Sequence, residues 1–255
     1  MKYINKILRL TLFCMILIFI TISLSGCDSN TAEDTSEAQD LVASDGRTEY
    51  SAIIEEYKKF VDCLINEDVK SAFDNNIFSA PDNILEYHWN CMLVEVNIWS
   101  YKDFPKTRNA FGYALEDLNG DGNAELILLL QDYTVLAVFS TENGESKLID
   151  AFWPKHRCAI YDTGLLYTLS SGGAYDWYYK MQKISQDGSE LLDLEEYGST
   201  SDGEKQDYYK VIDGETHNIN KSELDKFHEN FPILSDITAS EITKNSGIKF
   251  IPLFE

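Results

Sequence analysis

Apolar residues first recur at the three- and four-residue spacing of an amphipathic helix over residues 51–66. The stripe consists of Ile53, Ile54, Tyr57, Phe60, Val61, Leu64 and Ile65. A weaker helical pattern covers residues 69–73, and Pro81-Asp82 marks a third helix start. Its apolar face carries Ile84, Leu85, His88, Cys91, Met92 and Val96. We therefore expect helices over about residues 50–104.

From Phe111 the pattern changes to short β-rich runs separated by Gly, Asn and Asp turns. The runs are 112–116, 125–130, 135–139, 147–152, 157–161, 165–169, 175–184, 190–196 and 207–212. Connections this short permit antiparallel hairpins and exclude parallel crossovers. The run 126–130 is apolar without alternation, so this strand should be central and covered on both faces. The N-terminal helices are the expected cover.

The C-terminal part predicts one short helix and one strand. Ser222 can cap a helix that continues to about Glu229, and residues 248–251 have the composition of a last strand. The predicted fold class is α+β, with N-terminal helices packed on an antiparallel β meander (about 111–218). A short C-terminal helix and strand (about 219–255) complete a globular domain over residues 49–255.

The first 26 residues have the pattern of a targeting segment. Lys2, Lys6 and Arg9 precede an apolar run that ends in Leu-Ser-Gly-Cys27. An uncleaved transmembrane anchor is the alternative, because the run approaches the length of a bilayer span. The small residues before Cys27 favour a bacterial lipobox, in which Cys27 is lipidated and becomes the mature N-terminus. The sequence predicts a lipoprotein on the extracytoplasmic face of the cell membrane.

Residues 27–48 predict a flexible acidic tether between the membrane and the domain. The segment is polar and has no aromatic residue to build a core. The whole chain has 43 Asp and Glu against 21 Lys and Arg, three of which lie in the targeting segment. Such a negative surface repels nucleic acid, so we expect no nucleic-acid partner.

One stretch has the ligand spacing of a calcium loop. Over residues 117–125 the side-chain oxygens of Asp117, Asn119, Asp121 and Glu125 alternate with small residues, and Asn123 offers its carbonyl. The register differs from an EF-hand, because Glu125 closes the loop at the ninth position. An ordinary Asp/Asn/Gly turn is the alternative. Three converging carboxylates favour a structural calcium ion.

The cysteines and the serine pair Ser170-Ser171 have weaker sequence signals for a functional role. Of the cysteines that remain after Cys27, Cys63 and Cys91 could pair or be buried as small hydrophobes. Ser170-Ser171 lacks the spacing of a nucleophile elbow, and no histidine stands in a recognisable sequence relation to it. We therefore interpret it as part of a glycine hairpin and predict no catalytic residue.

Aromatic residues and one basic cluster form a possible ligand site. The residues are Trp153, His156, Arg157 and Trp177. A local reversal of charge in an acidic domain points to a ligand, and exposed Tyr and Trp rings can stack on sugars or peptides. Burial of alternate aromatic residues against helices is the simpler interpretation.

The lipobox, the acidic tether, the Asp-x-Asn-x-Asp-Gly-x-x-Glu loop and Ser171-Gly172-Gly173-Ala174 together resemble uncharacterised lipoproteins of clostridia and related Gram-positive bacteria. The loop by itself resembles the calcium hairpin of FG-GAP and VCBS-type repeats. The likeness implies no known activity. The expected function is a lipid-anchored, non-catalytic surface or binding protein with an envelope ligand. The alternatives are a cell-envelope hydrolase acting on glycan or peptide and a solute-binding lipoprotein.

Overall fold

The computed structural model describes residues 49–66, 105–152, 155–171, 176–201 and 205–254. Several predictions lie outside these residues. They are the targeting segment with Cys27, the tether, the helices predicted at 69–73 and 84–96, Cys91, the side chain of Cys63, and Trp153.

The described residues form eleven strands and three α-helices. In chain order these are α1 (Ser51–Ile65), β1 (Phe111–Glu116), β2 (Glu125–Leu130), β3 (Val135–Glu142), β4 (Glu145–Ala151), β5 (His156–Ile160), β6 (Leu166–Ser171), β7 (Trp177–Ile184), β8 (Leu191–Ser201), β9 (Gln206–Ile212), β10 (Glu215–Ile219), α2 (Lys221–Asn230), α3 (Asp236–Asn245) and β11 (Ile251–Pro252). A 3₁₀ turn, Arg108–Ala110, leads into β1.

The strands build two antiparallel sheets instead of one meander. The first sheet has the order β11-β1-β2-β3-β4, and the second sheet has the order β10-β9-β8-β7-β6-β5. The chain leaves the first sheet after β4 and begins the second at β5. The predicted α+β class, with N-terminal helices packed on a single meander, is therefore wrong. The described part of the chain is mainly a β-sandwich. Helix α1 covers one apolar face of the first sheet, and the second sheet buries the other.

An apolar cluster between the sheets joins the two halves of the sandwich. The first sheet contributes Ala114, Ile127, Leu129, Val135 and Val138, and the second sheet contributes Cys158, Ile160, Leu166 and Ile184. Removing this much apolar surface from water is the main stabilising term for the pair of sheets.

Strand β2 lies in the middle of the first sheet and buries side chains on both faces, as its unbroken apolar run predicts. Leu126 and Leu128 belong to the cluster on the α1 side. Ile127 and Leu129 belong to the cluster between the sheets. Helix α1 therefore covers one face only, and the second sheet supplies the other cover.

Helix α1 forms where the spacing of apolar residues predicts it. Its buried stripe packs on the first sheet, and Tyr57 meets Phe111 edge to face with ring centroids 6.3 Å apart. Phe60 is 1% exposed. Each large side chain buried in this way contributes roughly 1.5–3 kcal/mol, so packing, more than helix propensity, holds α1 in place.

The outer face of the second sheet is covered by α2 and α3. Phe227 of α2 stacks on Tyr197 with ring centroids 4.1 Å apart and also contacts Tyr179. The N-cap of α2 is Asn220, not the predicted Ser222: Asn220 accepts from the N–H of Glu223, whose carboxylate accepts from the N–H of Asn220.

Helix α3 was not predicted, and it protects an edge of the second sheet. Strand β5 is an edge strand. The N–H of its residue Ile160 donates to Oγ1 of Thr243 in α3 at 3.1 Å, and that hydroxyl donates to the carbonyl of Ala239. A backbone donor that would otherwise be unpaired in a buried place is thereby satisfied.

Candidate functional site

The loop that joins β1 to β2 (residues 117–125, the 117–125 loop) turns its acidic side chains onto its own backbone. Oδ1 of Asp117 accepts from the N–H of Gly120 at 2.7 Å and from that of Asp121 at 3.2 Å. Oδ1 of Asp121 in turn accepts from the N–H of Asn123 at 2.7 Å. Each carboxylate therefore has hydrogen-bond donors within the loop itself.

The sixth position of the loop needs a glycine, as the spacing predicts. Gly122 has a φ of 92°, in the left-handed region that residues with a Cβ rarely adopt. Its N–H donates to Oδ2 of Asp117 at 3.0 Å. The sharp turn brings the later part of the loop back toward its first residue.

Glu125 closes the loop from inside the domain. It is 1% exposed, and its two carboxylate oxygens accept from the N–H of Leu118 at 2.7 Å and from the hydroxyl of Ser140 at 3.0 Å. Burial raises the pKa of Glu125 to about 7, against the lowering effect of these two hydrogen bonds. The negative charges of Asp121 and Asp117 raise this pKa further. A cation in the loop would favour the charged carboxylate.

The loop touches both the helix and the second sheet. The hydroxyl of Tyr50, at the start of α1, donates to the carbonyl of Ala124 at 3.0 Å. Nδ2 of Asn119 donates to the carbonyl of Ser185, which follows β7 in the second sheet, at 3.0 Å. The 117–125 loop is thus the place where α1, the first sheet and the second sheet meet.

The oxygen donors of the loop are of the hard type that calcium takes. Within the described ranges, no group of three or more His, Cys, Asp or Glu side chains is gathered as a metal-ion site. A carboxylate has about four lone-pair sites, so the backbone hydrogen bonds leave each one with acceptor capacity. The oxygen donors of the loop are chemically suited to calcium. In the structure, however, the carboxylates of the loop accept hydrogen bonds from backbone N–H groups.

The residues of the predicted ligand site divide between two faces of the second sheet. Cys158 and Ile160 of β5 face the first sheet, and alternation places His156 on the same side. Arg157 points to the outer face and pairs with Asp236 of α3. Trp177 also lies on the outer face, where its ring meets Tyr179 at 5.3 Å. The structure therefore brings Arg157 and Trp177 to one face and His156 to the other.

His156 makes two hydrogen bonds, one across to the first sheet and one within the second sheet. Nε2 lies 2.9 Å from Oδ2 of Asp150 in the first sheet, and Nδ1 lies 2.6 Å from Oγ of Ser170 in the second sheet. The side chains of His156 and Asp150 are 15% and 28% exposed, and Ser170 is 8% exposed. The expectation that no histidine relates to Ser170 is wrong.

A signal for the His156–Ser170 pair is present in the sequence. Both residues lie seven positions from Thr163, at the centre of the Asp162-Thr163-Gly164 turn. A hairpin around that turn pairs residues at equal distance from its centre, and His156 indeed lies opposite Ser170. Asp150 had no such signal, because it belongs to the other sheet.

Comparisons with known proteins do not assign the chain to a family. No protein-family model matches it, and no curated protein matches it. A structure of a type IV secretion system related protein from Xanthomonas is similar at 13% identity and a TM-score of 0.29, covering 47% of this chain and 62% of that chain. The chain thus spans about three-fifths of that protein's length.

No helix among the described residues is long and apolar enough to cross a membrane.

Proposed function

We propose that this chain is a lipid-anchored extracytoplasmic protein whose 117–125 loop binds calcium as a structural ion. The supporting observation is the position of the loop. Tyr50 reaches it from α1, and Asn119 reaches from it to the backbone of the second sheet. An ion held there would stabilise the contact between three layers of the fold, which suits a structural role better than a catalytic one.

Cys27 is the proposed lipid site, and the domain is displayed on the outer face of the membrane. The chain has a net charge of −22. A surface of this sign repels nucleic acid and attracts cations, including calcium. The proposed partners are the membrane, through the lipid, and a neutral or basic ligand of the cell envelope.

Calorimetry of residues 48–255 with calcium, with magnesium and with chelator tests the ion. Extracellular calcium sites bind with a dissociation constant of about 0.1–1 mM. At roughly 1 mM calcium the gain in unfolding free energy is then about 0.4–1.4 kcal/mol, or a Tm increase of roughly 1–6 °C. Magnesium should do much less, because it demands tight octahedral geometry and dehydrates reluctantly.

Asp121→Ala should remove the calcium-dependent part of the Tm, whatever it does to the Tm in chelator. Asp132→Ala is the matched control. Asp132 also accepts a backbone hydrogen bond in a turn, from Thr134, but it lies at the opposite end of β2. Equal Tm values of the parent domain in calcium and in chelator would show that the 117–125 loop is an ordinary turn.

Metabolic labelling with a fatty acid tests the anchor separately. The full chain should incorporate label and sediment with membranes, and Cys27→Ala should incorporate no label. Two or more acyl chains give stable anchoring, so the labelled chain should stay with the membrane fraction. Labelling of Cys27→Ala at the parental level would contradict the lipoprotein assignment without bearing on calcium.

A further inference from the structure

The hydrogen-bonded residues Asp150, His156 and Ser170 lie at one edge of the sandwich. Asp150 comes from β4, the last strand of the first sheet, and His156 comes from β5, the first strand of the second sheet. Ser170 lies opposite His156 on β6. Three strands in two sheets are needed to bring these side chains together, and a chain of carboxylate, imidazole and hydroxyl is the result.

The arrangement has the chemical order of a nucleophile, a base and an orienting carboxylate. A carboxylate can only accept, so in the neutral ring Nε2 carries the N–H toward Asp150 and the lone pair of Nδ1 faces the hydroxyl of Ser170. The ring of Phe152 packs on the imidazole with centroids 5.1 Å apart and restricts its rotation. His156 is therefore held with a basic nitrogen 2.6 Å from the oxygen that it would activate.

The buried thiol on the same face does not compete as the nucleophile. Cys158 follows His156 by two residues and belongs to the cluster between the sheets. Burial raises the pKa of Cys158 well above its usual value, and the charge of Asp150 raises it further. A thiol held in its protonated form is a poor nucleophile, which leaves the hydroxyl of Ser170.

Aromatic side chains continue the row of Ser170 across the second sheet. Ser170 lies opposite Tyr178, Tyr178 opposite Gly198, and Gly198 opposite Tyr209. The ring of Tyr209 lies against Gly198, where an added Cβ would come within 2.5 Å of its Cζ and hydroxyl oxygen. Tyr178 and Tyr209 are half-buried. Tyrosine rings with part of their surface exposed are suited to stacking on sugar rings.

We propose that Ser170, with His156 as its base and Asp150 as a positioning residue, hydrolyses small acyl esters carried on a ring-bearing alcohol such as a sugar. A small acyl group is proposed because Ser170 is only 8% exposed, which disfavours a long acyl chain beside it. An alcohol with a ring follows from the tyrosine row beside it. The acidic surface favours neutral or basic substrates over anionic ones.

In the first half-reaction, Oγ of Ser170 attacks the ester carbonyl carbon and gives its proton to Nδ1 of His156. The bond from the carbonyl carbon to the alcohol oxygen breaks, and the leaving alcohol takes that proton. In the second half-reaction, the oxygen of a water molecule attacks the carbonyl carbon of the acyl-serine, and His156 accepts a proton from that water. Oγ of Ser170 then leaves and recovers the proton, so the products are the free alcohol and a carboxylic acid.

A fluorophosphonate probe, which reacts with activated serine hydroxyls, tests the site on the mature protein. Label should map to Ser170 by mass spectrometry and should be lost in Ser170→Ala. His156→Gln keeps the size of the side chain but cannot act as the base, and should slow labelling by about 10²-fold or more. Ser171→Ala is the matched control, because alternation along β6 turns Ser171 to the opposite face.

Asp150 is tested by the split between kcat and KM for an aryl acetate ester. Asp150→Asn should lower kcat by about 10²-fold or more with KM little changed, and Asp150→Glu should restore part of the loss. A merely structural role would change the Tm of both variants and would not separate kcat from KM. The acetate should be cleaved faster than the matching butyrate.

Some results would overturn the proposal. A folded parent protein that takes no label at Ser170, or a His156→Gln variant that labels at the parental rate, excludes the activated serine. Label at Ser170 without hydrolysis of any acetate ester excludes the esterase. Equal rates for acetate and butyrate exclude the small acyl group. None of these results depends on calcium or on the lipid.

Discussion

Gly164, in the turn between β5 and β6, lies directly against the backbone carbonyl of Leu118 in the 117–125 loop. A Cβ on Gly164 would come within 1.9 Å of that oxygen, closer than any non-bonded contact allows. Gly164 also has a φ of 71°, in the left-handed region. The second sheet therefore reaches the 117–125 loop at a point where the approach requires the absence of a side chain.

Gly164→Ala should destabilise the domain by clearly more than the conformational strain alone. Gly214→Ala is the matched control, because Gly214 has a φ of 76° in a hairpin turn and nothing within 4 Å of an added Cβ. The control should lose about 1–2 kcal/mol from left-handed strain, and Gly164→Ala a further ~1–3 kcal/mol from the steric overlap. Urea unfolding measures both. Equal losses would show that the turn and the loop are not in contact.

The contact from Tyr50 to Ala124 supports a second prediction. Tyr50 is fully buried, and burial together with the charges of Glu125 and Glu49 raises the pKa of its phenol far above the usual value. Tyr50→Phe keeps the ring and leaves the carbonyl of Ala124 without this donor, so it should lose about 1–2 kcal/mol. Tyr133 is a half-buried residue in the turn after β2, and Tyr133→Phe should change the free energy of unfolding by about 0.5 kcal/mol or less.

The local elements of the sheets follow from the sequence where one pattern dominates. Strand β2 was predicted at residues 125–130 and has those bounds, because a run of apolar residues between turn signals permits little else. Strand β10 was missed because four of its five residues are exposed, so no alternation marks it. Helix α3 was missed for a similar reason: its buried residues are Ala239, Ser240 and Thr243, which form no apolar stripe.

The division into two sheets could not be predicted from periodicity. The connection from β4 to β5 has the length of an ordinary hairpin loop, and a loop of that length can also lead into another sheet. Which of the two occurs depends on whether the second face of β2 is buried by helices or by strands. The apolar side chains of Ile127 and Leu129 indicate that this face is buried, but they do not indicate whether helices or strands bury it.

The candidate sites show the same distinction between local and distant contacts. The glycine geometry at Gly122 and the closing position of Glu125 are consequences of nine adjacent residues, and both could be predicted. The relation of His156 to Ser170 depends on the register of one hairpin, and that of His156 to Asp150 on the packing of two sheets. Calcium itself stays a prediction, since the loop side chains also suit backbone donors.

Helix α1 and the first sheet should unfold as one cooperative unit. Ile54 is 7% exposed and lies in the same cluster as Leu126 and Leu128. Ile54→Asp places an unpaired charge in that cluster and should abolish a stable fold or lower the Tm of the whole domain sharply. Ala52→Asp makes the same change of charge at an exposed position of α1 and should leave the Tm nearly unchanged. Two separate transitions in the parent domain would contradict a single unit.

Glu125 should give the metal-free domain a characteristic dependence of stability on pH. Its pKa is raised from 4.5 to about 7, so the folded state holds the proton more tightly than the unfolded state. The stabilising contribution is then fully present below about pH 4.5 and is lost as the pH rises to about 7, by up to about 3 kcal/mol. At higher pH the contribution of Glu125 to the free energy of unfolding should no longer change with pH.

The matched variant is Glu125→Gln, which keeps the size of the side chain and cannot ionise. Subtracting its free energy of unfolding from that of the parent, both in chelator between pH 4 and 8, removes the titration of all other groups. The difference should fall with rising pH, because only the parent must ionise a buried carboxylate. A cation favours the charged form of Glu125. Calcium should therefore weaken the pH dependence of the free energy of unfolding in the parent and leave the pH dependence of Glu125→Gln unaffected. A difference that rises with pH would mean that Glu125 is stabilised as a carboxylate without any ion.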